Sequence, residues 1–183
     1  LHGILNRMRM RIITASLVAL GAFFTIASQP AQAVTITPEK TEKIKSHCIE
    51  NQAALNRLHQ TDAFLRTNRG ELYRTISDKL MVPLNRRLAS NQLDAGNLLT
   101  ITADYNNEYR TFFDAYIQYD NAMTKLLDID CKKEPVSFYN ALLDAREKRE
   151  ALSTSNQALL EYIRSYGAEF TQFMTTYEAD KAW

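Results

Sequence analysis

One long amphipathic pattern in the last third of the chain limits the folds that this sequence can adopt. Between Pro135 and Tyr177, apolar and aromatic side chains recur in steps of three and four over several heptads. Ten of the twelve positions are apolar or aromatic, and Arg149 and Asn156 are the exceptions: Phe138, Leu142, Ala145, Arg149, Leu152, Asn156, Leu159, Ile163, Tyr166, Phe170, Phe173 and Tyr177. The pattern predicts one helix of roughly 43 residues and about 65 Å, which needs partner helices along its whole length.

This helix is expected to bury one face and to expose the other. The residues expected to be buried are Leu142, Leu152, Leu159, Ile163, Phe170 and Phe173, and those expected to be exposed are Glu147, Arg164 and Glu169. If Phe170 is buried, its truncation to Ala is expected to lower the free energy of unfolding by roughly 3–5 kcal/mol.

A first helix is predicted from residue 38 to about residue 91. Thr37 can cap it, and Pro38 fits the first turn because the N–H that proline lacks would have no partner there. Leucine and isoleucine recur every four residues in its second half, at Leu72, Ile76, Leu80, Leu84 and Leu88. Breaks are expected near Gly70, since glycine adopts the left-handed conformation freely, and near Pro83, since proline removes a backbone hydrogen bond.

A second helix is predicted from about residue 95 to residue 128, with Asp94 as its cap. Its apolar positions are Leu98, Thr102, Tyr105, Tyr109, Phe112, Tyr116, Tyr119, Met123 and Leu126. No alternating strand pattern of useful length occurs in the sequence. The chain is therefore predicted to be all-α, as an elongated antiparallel three-helix bundle with coiled-coil-like packing, formed by a single domain over residues 34–183.

The first residues are predicted to lie outside that domain. Three arginines precede an apolar run at 12–26, and Ala31-Gln32-Ala33 then matches the small-x-small pattern of a cleavage site. Residues 1–33 are therefore predicted to be a signal peptide, with Val34 starting an exported chain. The alternative is an uncleaved membrane anchor over residues 12–28.

Both cysteines of the chain, Cys48 and Cys131, lie in the part predicted to be exported. Outside the cytoplasm a lone pair of cysteines is most simply a disulfide. In two straight antiparallel helices the cysteines would be offset by about 10 Å. The expected breaks in the first helix and the position of Cys131 in a loop favour their meeting at one end of the bundle.

Tyrosines on the second predicted helix and two polar residues on the third are the candidate binding residues. Tyr105, Tyr109 and Tyr116 could form a ligand-contacting or adhesive face, although packing of their rings in the core is favoured. Arg149 and Asn156 interrupt the apolar pattern seven residues apart, so they project to the same side. They are expected to fix the register of the helices, and the alternative is a site for an anionic ligand.

The sequence carries no recognised catalytic or metal-binding motif. It contains no Gly-x-Ser-x-Gly, phosphate loop or Cys-x-x-Cys, and no His-Glu-x-x-His or Glu-x-x-His. His47 and His59 do not share a helix face at the spacing of metal ligands. The near-neutral balance of charge gives no footprint for nucleic acid. We therefore expect no enzymatic activity, no cofactor, no bound metal and no nucleic-acid partner.

Three features occur together in this chain: the predicted leader at residues 1–33, the tripeptide Ile129-Asp130-Cys131, and the run from Pro135 to Tyr139 that opens the long helix. This combination resembles short secreted helical proteins of unknown function from candidate-phyla bacteria of reduced genome. The resemblance implies neither an activity nor a functional residue.

The function expected from these features is that of an exported, non-enzymatic interaction module or scaffold, located at the cell envelope or outside the cell. Its partner is expected to be a protein. The alternative is a small-ligand sensor or carrier with an aromatic-lined site between the second and third helices.

Overall fold

The computed structural model describes residues 36–181, with side chains up to residue 179. The elements are, in order, α1 (Pro38–Ser46), α2 (Cys48–Thr75), a π-helix (Ile76–Met81), α3 (Val82–Ser90), α4 (Gly96–Leu127) and α5 (Pro135–Lys181). Every element is helical, so the predicted all-α class is confirmed. The predicted signal peptide, residues 1–33, lies outside the described residues.

The first predicted helix is divided into α1, α2, the π-helix and α3 rather than forming one rod broken at two places. Its start is as predicted, since the Thr37 side chain accepts a hydrogen bond from the Lys40 N–H at 3.3 Å and Pro38 opens the helix. The first interruption is at His47, where the backbone leaves helical geometry (φ −105°, ψ 18°). The predicted count of three helices is therefore not confirmed.

The predicted break at Gly70 is wrong. Helix α2 runs through Gly70 without interruption and ends at Thr75. Glycine inside a helix costs only about 1 kcal/mol relative to alanine, and the hydrogen bonds on either side outweigh that penalty. The interruption near Pro83 takes the form of the π-helix, which lies directly before α3. An α-helix would bring the carbonyl of Lys79 against the ring of Pro83 at this point.

The face buried before Leu88 is shifted by one residue from the leucine and isoleucine pattern. Leu72 and Leu80 are 54% and 60% exposed and Ile76 and Leu84 are half-buried, whereas Leu88 is buried as the pattern predicts. The residues buried instead are Tyr73, Ser77, Met81 and Asn85, again spaced by four. A spacing of four drifts around an α-helix of 3.6 residues per turn, and the wider turn of the π-helix compensates for that drift. The π-helix therefore keeps these four side chains on one line.

The turn between α3 and α4 differs in detail from the prediction. Gln92 adopts the left-handed conformation, with φ of 58°. Helix α4 begins at Gly96, and its N-cap is Ala95 rather than Asp94. The Asp94 carboxylate still accepts a hydrogen bond from the Gly96 N–H at 3.1 Å, so it stabilises the first turn from one position further out.

Hydrogen-bonded pairs show the relative directions of the long helices. Pairs that join α2 or α3 to α4 have opposite residue order, as in His59–Asp120, Tyr73–Tyr105 and Asn85–Thr102. Pairs that join α2 or α3 to α5 have the same order, as in Asp62–Arg149, Tyr73–Asn156 and Asn85–Tyr166. Helix α4 therefore runs antiparallel to both of its neighbours.

The predicted apolar face of α4 matches the structure closely. Eight of its nine positions are buried, and Tyr109 is half-buried. On α5, Leu159 is the only one of the six residues expected to be buried that is fully buried. The other five are half-buried. Glu147 and Arg164 are exposed as expected, whereas Glu169 is half-buried and accepts a hydrogen bond from Asn97 at 3.0 Å.

A polar group lies inside the core where α3, α4 and α5 meet. The Asn85 side-chain amide is buried and donates to the Thr102 hydroxyl at 2.7 Å and to the Leu98 carbonyl at 3.3 Å. The Tyr166 hydroxyl donates to the Asn85 oxygen at 2.9 Å. Such a group stabilises the native alignment only while all of its partners are present.

Cys48 and Cys131 form the predicted disulfide, with their Cα atoms 5.6 Å apart and both residues buried. Cys48 is the first residue of α2, and Cys131 lies in the connection between α4 and α5. Beside them, the Gln52 side chain donates to the Ile129 carbonyl at 3.0 Å, which ties the same two segments together. None of the helices described between residues 36 and 181 combines the length and the apolar character of a membrane span.

Candidate functional site: a cleft lined by three arginines

A cleft of about 240 Å³ lies between α2, α4 and α5, and we call it the arginine cleft. Its lining residues are Asp62, Leu65, Arg66 and Arg69 of α2, Phe112 of α4, and Arg149, Leu152, Ser153 and Asn156 of α5. Three guanidinium groups thus face one carboxylate, above a floor of apolar side chains.

Asp62 and Arg149 form an ion pair at one end of the cleft. The Arg149 Nε and Nη2 atoms donate to the two carboxylate oxygens of Asp62 at 2.9 and 3.3 Å. The Tyr119 hydroxyl also donates to Asp62, at 2.7 Å. The Asp62 side chain is only 11% exposed, whereas that of Arg149 is 51% exposed. The carboxylate is thus the enclosed member of the pair, with donors from two other helices.

These contacts determine the protonation states at this end of the cleft. Burial acts to raise the pKa of Asp62, but the hydrogen bonds from Arg149 and Tyr119 outweigh it and leave the pKa below its ordinary value. Burial, followed by the hydrogen bond to Asp62, raises the pKa of Tyr119. Asp62 is therefore charged and Tyr119 is neutral at neutral pH.

Arg66 lies over an aromatic ring next to this pair. Its guanidinium carbon is 4.2 Å from the centre of the Tyr116 ring, a cation–π contact. The Tyr116 hydroxyl donates to Asp120 at 3.0 Å, and His59 Nε2 lies 2.7 Å from the same carboxylate oxygen. The Nε atom of Arg66 is buried and has no hydrogen-bond partner among the described residues.

Asn156 forms the opposite end of the cleft. Its side-chain oxygen accepts hydrogen bonds from the Tyr73 hydroxyl at 2.6 Å and from Arg69 Nη1 at 3.2 Å. Arg69 is exposed, and this amide oxygen, which is neutral, is the only acceptor that the described residues offer it. No carboxylate among the described residues therefore pairs with Arg69 at the mouth of the cleft.

The structure brings together two of the five candidate binding residues proposed from the sequence. Arg149 and Asn156 both line the arginine cleft. Tyr105 and Tyr116 are buried, and the Tyr105 hydroxyl donates to the Tyr73 carbonyl at 2.8 Å. Tyr109 is half-buried, and it lines a neighbouring groove instead. The cleft therefore lies between α5 and α2, with α4 providing its floor.

Three residues of the cleft escaped the sequence analysis as binding residues. Asp62, Arg66 and Arg69 recur at spacings of four and three on α2, so they share a helix face. That spacing was the sequence feature from which a shared charged face on α2 could have been predicted. Charged residues on a polar helix more often face solvent, and nothing in the sequence links them to Arg149.

A second surface feature is an apolar stripe on α4, formed by Tyr109, Phe113 and Ile117 at spacings of four. Phe113 and Ile117 are 44% and 43% exposed. Tyr109 and Phe113 also line a groove of about 200 Å³ against α2, beside Gly70. A side-chain carbon added at Gly70 would meet no atom within 4 Å, so the groove is open there.

The two sites offer guanidinium, carboxylate, amide, hydroxyl and apolar groups. Within the part of the chain that the structure describes, no three His, Cys, Asp or Glu side chains form a group that could hold a metal ion.

No protein-family model, no curated protein and no solved structure matches this chain.

Proposed function

We propose that the protein is an exported, non-enzymatic helical-bundle protein that acts as an interaction module or scaffold at the cell envelope or outside the cell. The observation that supports this proposal is the α4 stripe. Phe113 and Ile117 expose large apolar surface one helical turn apart, next to an open groove. Aromatic and apolar residues grouped in this way favour contact with a protein partner.

The arrangement of the helices in three arms is part of the same proposal. We take α1, α2, the π-helix and α3 as one arm of an elongated three-arm antiparallel bundle, with α4 and α5 as the other two arms. The disulfide at one end of this bundle is compatible with an oxidising compartment such as the periplasm, the cell surface or the extracellular space. An anchor formed by uncleaved residues 12–28 is the alternative to full release.

A pull-down from envelope extract tests the interaction module. The wild-type protein is compared with the double variant Phe113→Ser/Ile117→Ser and with Leu99→Ser, a control that removes an equally exposed leucine elsewhere on α4. We expect the wild type and the control to retain the same partner and the double variant to lose it. A partner retained by all three would exclude the stripe, and no retained partner would count against an interaction module.

Export is tested separately. The amino terminus of the protein recovered from the periplasm or medium of a bacterial host is expected to be Val34. A chain begun at Val34 should fold as stably as the full chain. If the Val34 chain aggregated while the full chain stayed soluble, residues 1–33 would have to be part of the folded protein or an anchor.

A small-ligand sensor or carrier is the second candidate function, and the arginine cleft favours it. The cleft combines the two polar residues singled out from the sequence, Arg149 and Asn156, with two further arginines and an apolar floor. Ligand sites commonly pair a mostly apolar wall with a few placed polar groups.

A further inference from the structure

We propose that the arginine cleft binds an organic anion that carries one carboxylate on an apolar body the size of one or two rings. This inference rests on the second candidate function, the small-ligand sensor or carrier, and specifies its ligand. Four observations support it: the excess of positive charge, an unpartnered buried donor, the apolar side chains at the wall and floor, and the volume.

The charges of the cleft are not balanced by its own residues. Asp62 is the one carboxylate among the lining residues, and it is already bound by Arg149 and Tyr119. Asp120, which also interacts with Arg66, is hydrogen-bonded by Tyr116 and paired with His59. Arg69 meets only a neutral amide oxygen. The cleft can therefore accept an anion without displacing an internal ion pair.

The arginine cleft includes one donor, on Arg66, that no described residue satisfies. The Nε atom of Arg66 is buried and lacks an acceptor among the described residues. A buried donor on a charged group without a partner is unfavourable, and native structures rarely leave one. Contact with the Tyr116 ring fixes the plane of the guanidinium. A carboxylate matches this planar geometry, because arginine recognises carboxylates through pairs of parallel hydrogen bonds.

The apolar side chains of the cleft require more than a simple ion. Leu65 is 41% exposed at the cleft wall, Leu152 is half-buried, and buried Phe112 lies at its floor. Acetate or phosphate would satisfy the arginines and leave Leu65 and Leu152 in water. A cavity of about 150 Å³ accommodates benzene, so the 240 Å³ of this cleft has room for a ring with an acid attached.

The test is an NMR titration of the ¹⁵N-labelled full chain with four probes. 4-Phenylbutyrate carries both the acid and the ring, 4-phenylbutanol carries only the ring, and acetate and phosphate carry only the charge. We expect 4-phenylbutyrate to shift the Nε–H resonances of Arg66 and Arg69 and the backbone amides around Ser153. It should bind at least about tenfold more tightly than the other three. For 4-phenylbutanol the difference corresponds to one lost charge-assisted hydrogen bond, and for acetate and phosphate to the lost burial of the ring.

Three variants connect the signal with the cleft. Arg69→Gln removes one guanidinium, and Ser153→Glu places a carboxylate at the exposed rim. Each should weaken 4-phenylbutyrate binding by about tenfold or more. Arg74→Gln is the matched control, since Arg74 lies on the same helix outside the cleft, paired with Glu71. The affinity of Arg74→Gln for 4-phenylbutyrate should stay within about twofold of that of the wild type. All three variants should keep the circular dichroism spectrum of the wild-type helices.

The possible outcomes distinguish failure of the anion preference from failure of the small-ligand function. If 4-phenylbutanol binds as tightly as the acid and Arg69→Gln changes nothing, the anion preference is wrong and a neutral-ligand carrier remains. If acetate and phosphate bind as tightly as 4-phenylbutyrate, the cleft binds an adventitious ion only and the proposal fails. If no probe shifts any cleft resonance, both the inference and the small-ligand function are overturned, while the interaction module is unaffected.

Discussion

Arg149 of α5 binds Asp62 of α2 through two hydrogen bonds, although 87 residues separate them in the chain. Tyr119 of α4 donates to the same carboxylate, so one side chain joins three helices. From the sequence, Arg149 was expected to fix the register of its helix or to bind an anion. The pair with Asp62 accounts for the register, because a shift of either helix by one turn would separate the two charges.

Asp62→Asn tests this junction through its pH dependence. The hydrogen bonds from Arg149 and Tyr119 hold the pKa of folded Asp62 below its ordinary value of 3.8. The stabilisation is therefore present above about pH 4 and is lost as the pH falls through the folded pKa. At pH 7 the variant is expected to be less stable by about 1–3 kcal/mol. The difference from the wild type should shrink below pH 4.

Urea unfolding between pH 2.5 and pH 7 measures this difference. Asp104→Asn serves as the control, because Asp104 is an exposed carboxylate on α4 outside the junction. The control should follow the wild type at every pH. A constant difference between Asp62→Asn and the wild type down to pH 2.5 would mean that the charge of Asp62 contributes nothing.

Removal of the disulfide is expected to lower stability substantially. The double variant Cys48→Ala/Cys131→Ala opens a loop whose ends are 83 residues apart in sequence. The chain-entropy model predicts a loss of roughly 4.5 kcal/mol for a loop of that length. Thermal unfolding of the variant and of the wild type, each with and without reductant, measures the loss. Two alkylatable thiols in the unreduced wild type would show that the bond does not form.

Tyr166→Phe probes the polar group in the core. It removes the hydroxyl that donates to the oxygen of buried Asn85 and leaves the ring in place. The unsatisfied oxygen should cost about 1–3 kcal/mol in the free energy of unfolding. Tyr162→Phe, one turn earlier on α5 and half-buried, is the matched control and should change stability by less than about 0.5 kcal/mol. Equal effects of the two substitutions would refute a specific role for the Asn85 contact.

Leu159→Ala is expected to be more damaging than Phe170→Ala. Leu159 is fully buried, so its truncation should cost about 2–5 kcal/mol. Phe170 is only half-buried, which brings its expected loss below the 3–5 kcal/mol predicted from the sequence. Chemical denaturation of both variants gives the ranking. A larger loss for Phe170→Ala would indicate that its exposed part is covered in solution, for example by a second molecule.

Periodicity was sufficient to predict α4, α5 and the apolar face of α4, but not the division of the first helix into α1, α2, the π-helix and α3. The face of α4 is correct because large side chains occupy nearly all its inward positions, so hydrophobicity and burial coincide there. They do not coincide before Pro83, where buried Ser77 hydrogen-bonds to Asn106 while the larger Leu80 faces solvent. A hydrophobicity pattern ranks leucine above serine, and it carries no sign of a π-turn that changes which residue faces inward.

The sequence pointed to the arginine cleft only through its α5 side, where an anion site was the alternative interpretation of Arg149 and Asn156. Arg149 and Asn156 stood out because they interrupt an apolar pattern, whereas Arg66 and Arg69 lie on a helix that is polar almost throughout. Their role depends on which residues of a distant segment they meet. That information belongs to the tertiary contacts, such as the hydrogen bond from Arg69 to Asn156.

The bond between Cys48 and Cys131 also closes the polypeptide into a covalent ring that contains α2, the π-helix, α3 and α4. The turn at residues 91–95 lies within this ring, so a protease that cuts there once produces two chains that stay joined. The nicked molecule would gain only the mass of one water, and it would separate into two pieces only after reduction. Release of a fragment after a cut within the ring thus requires a second cut or a reductant.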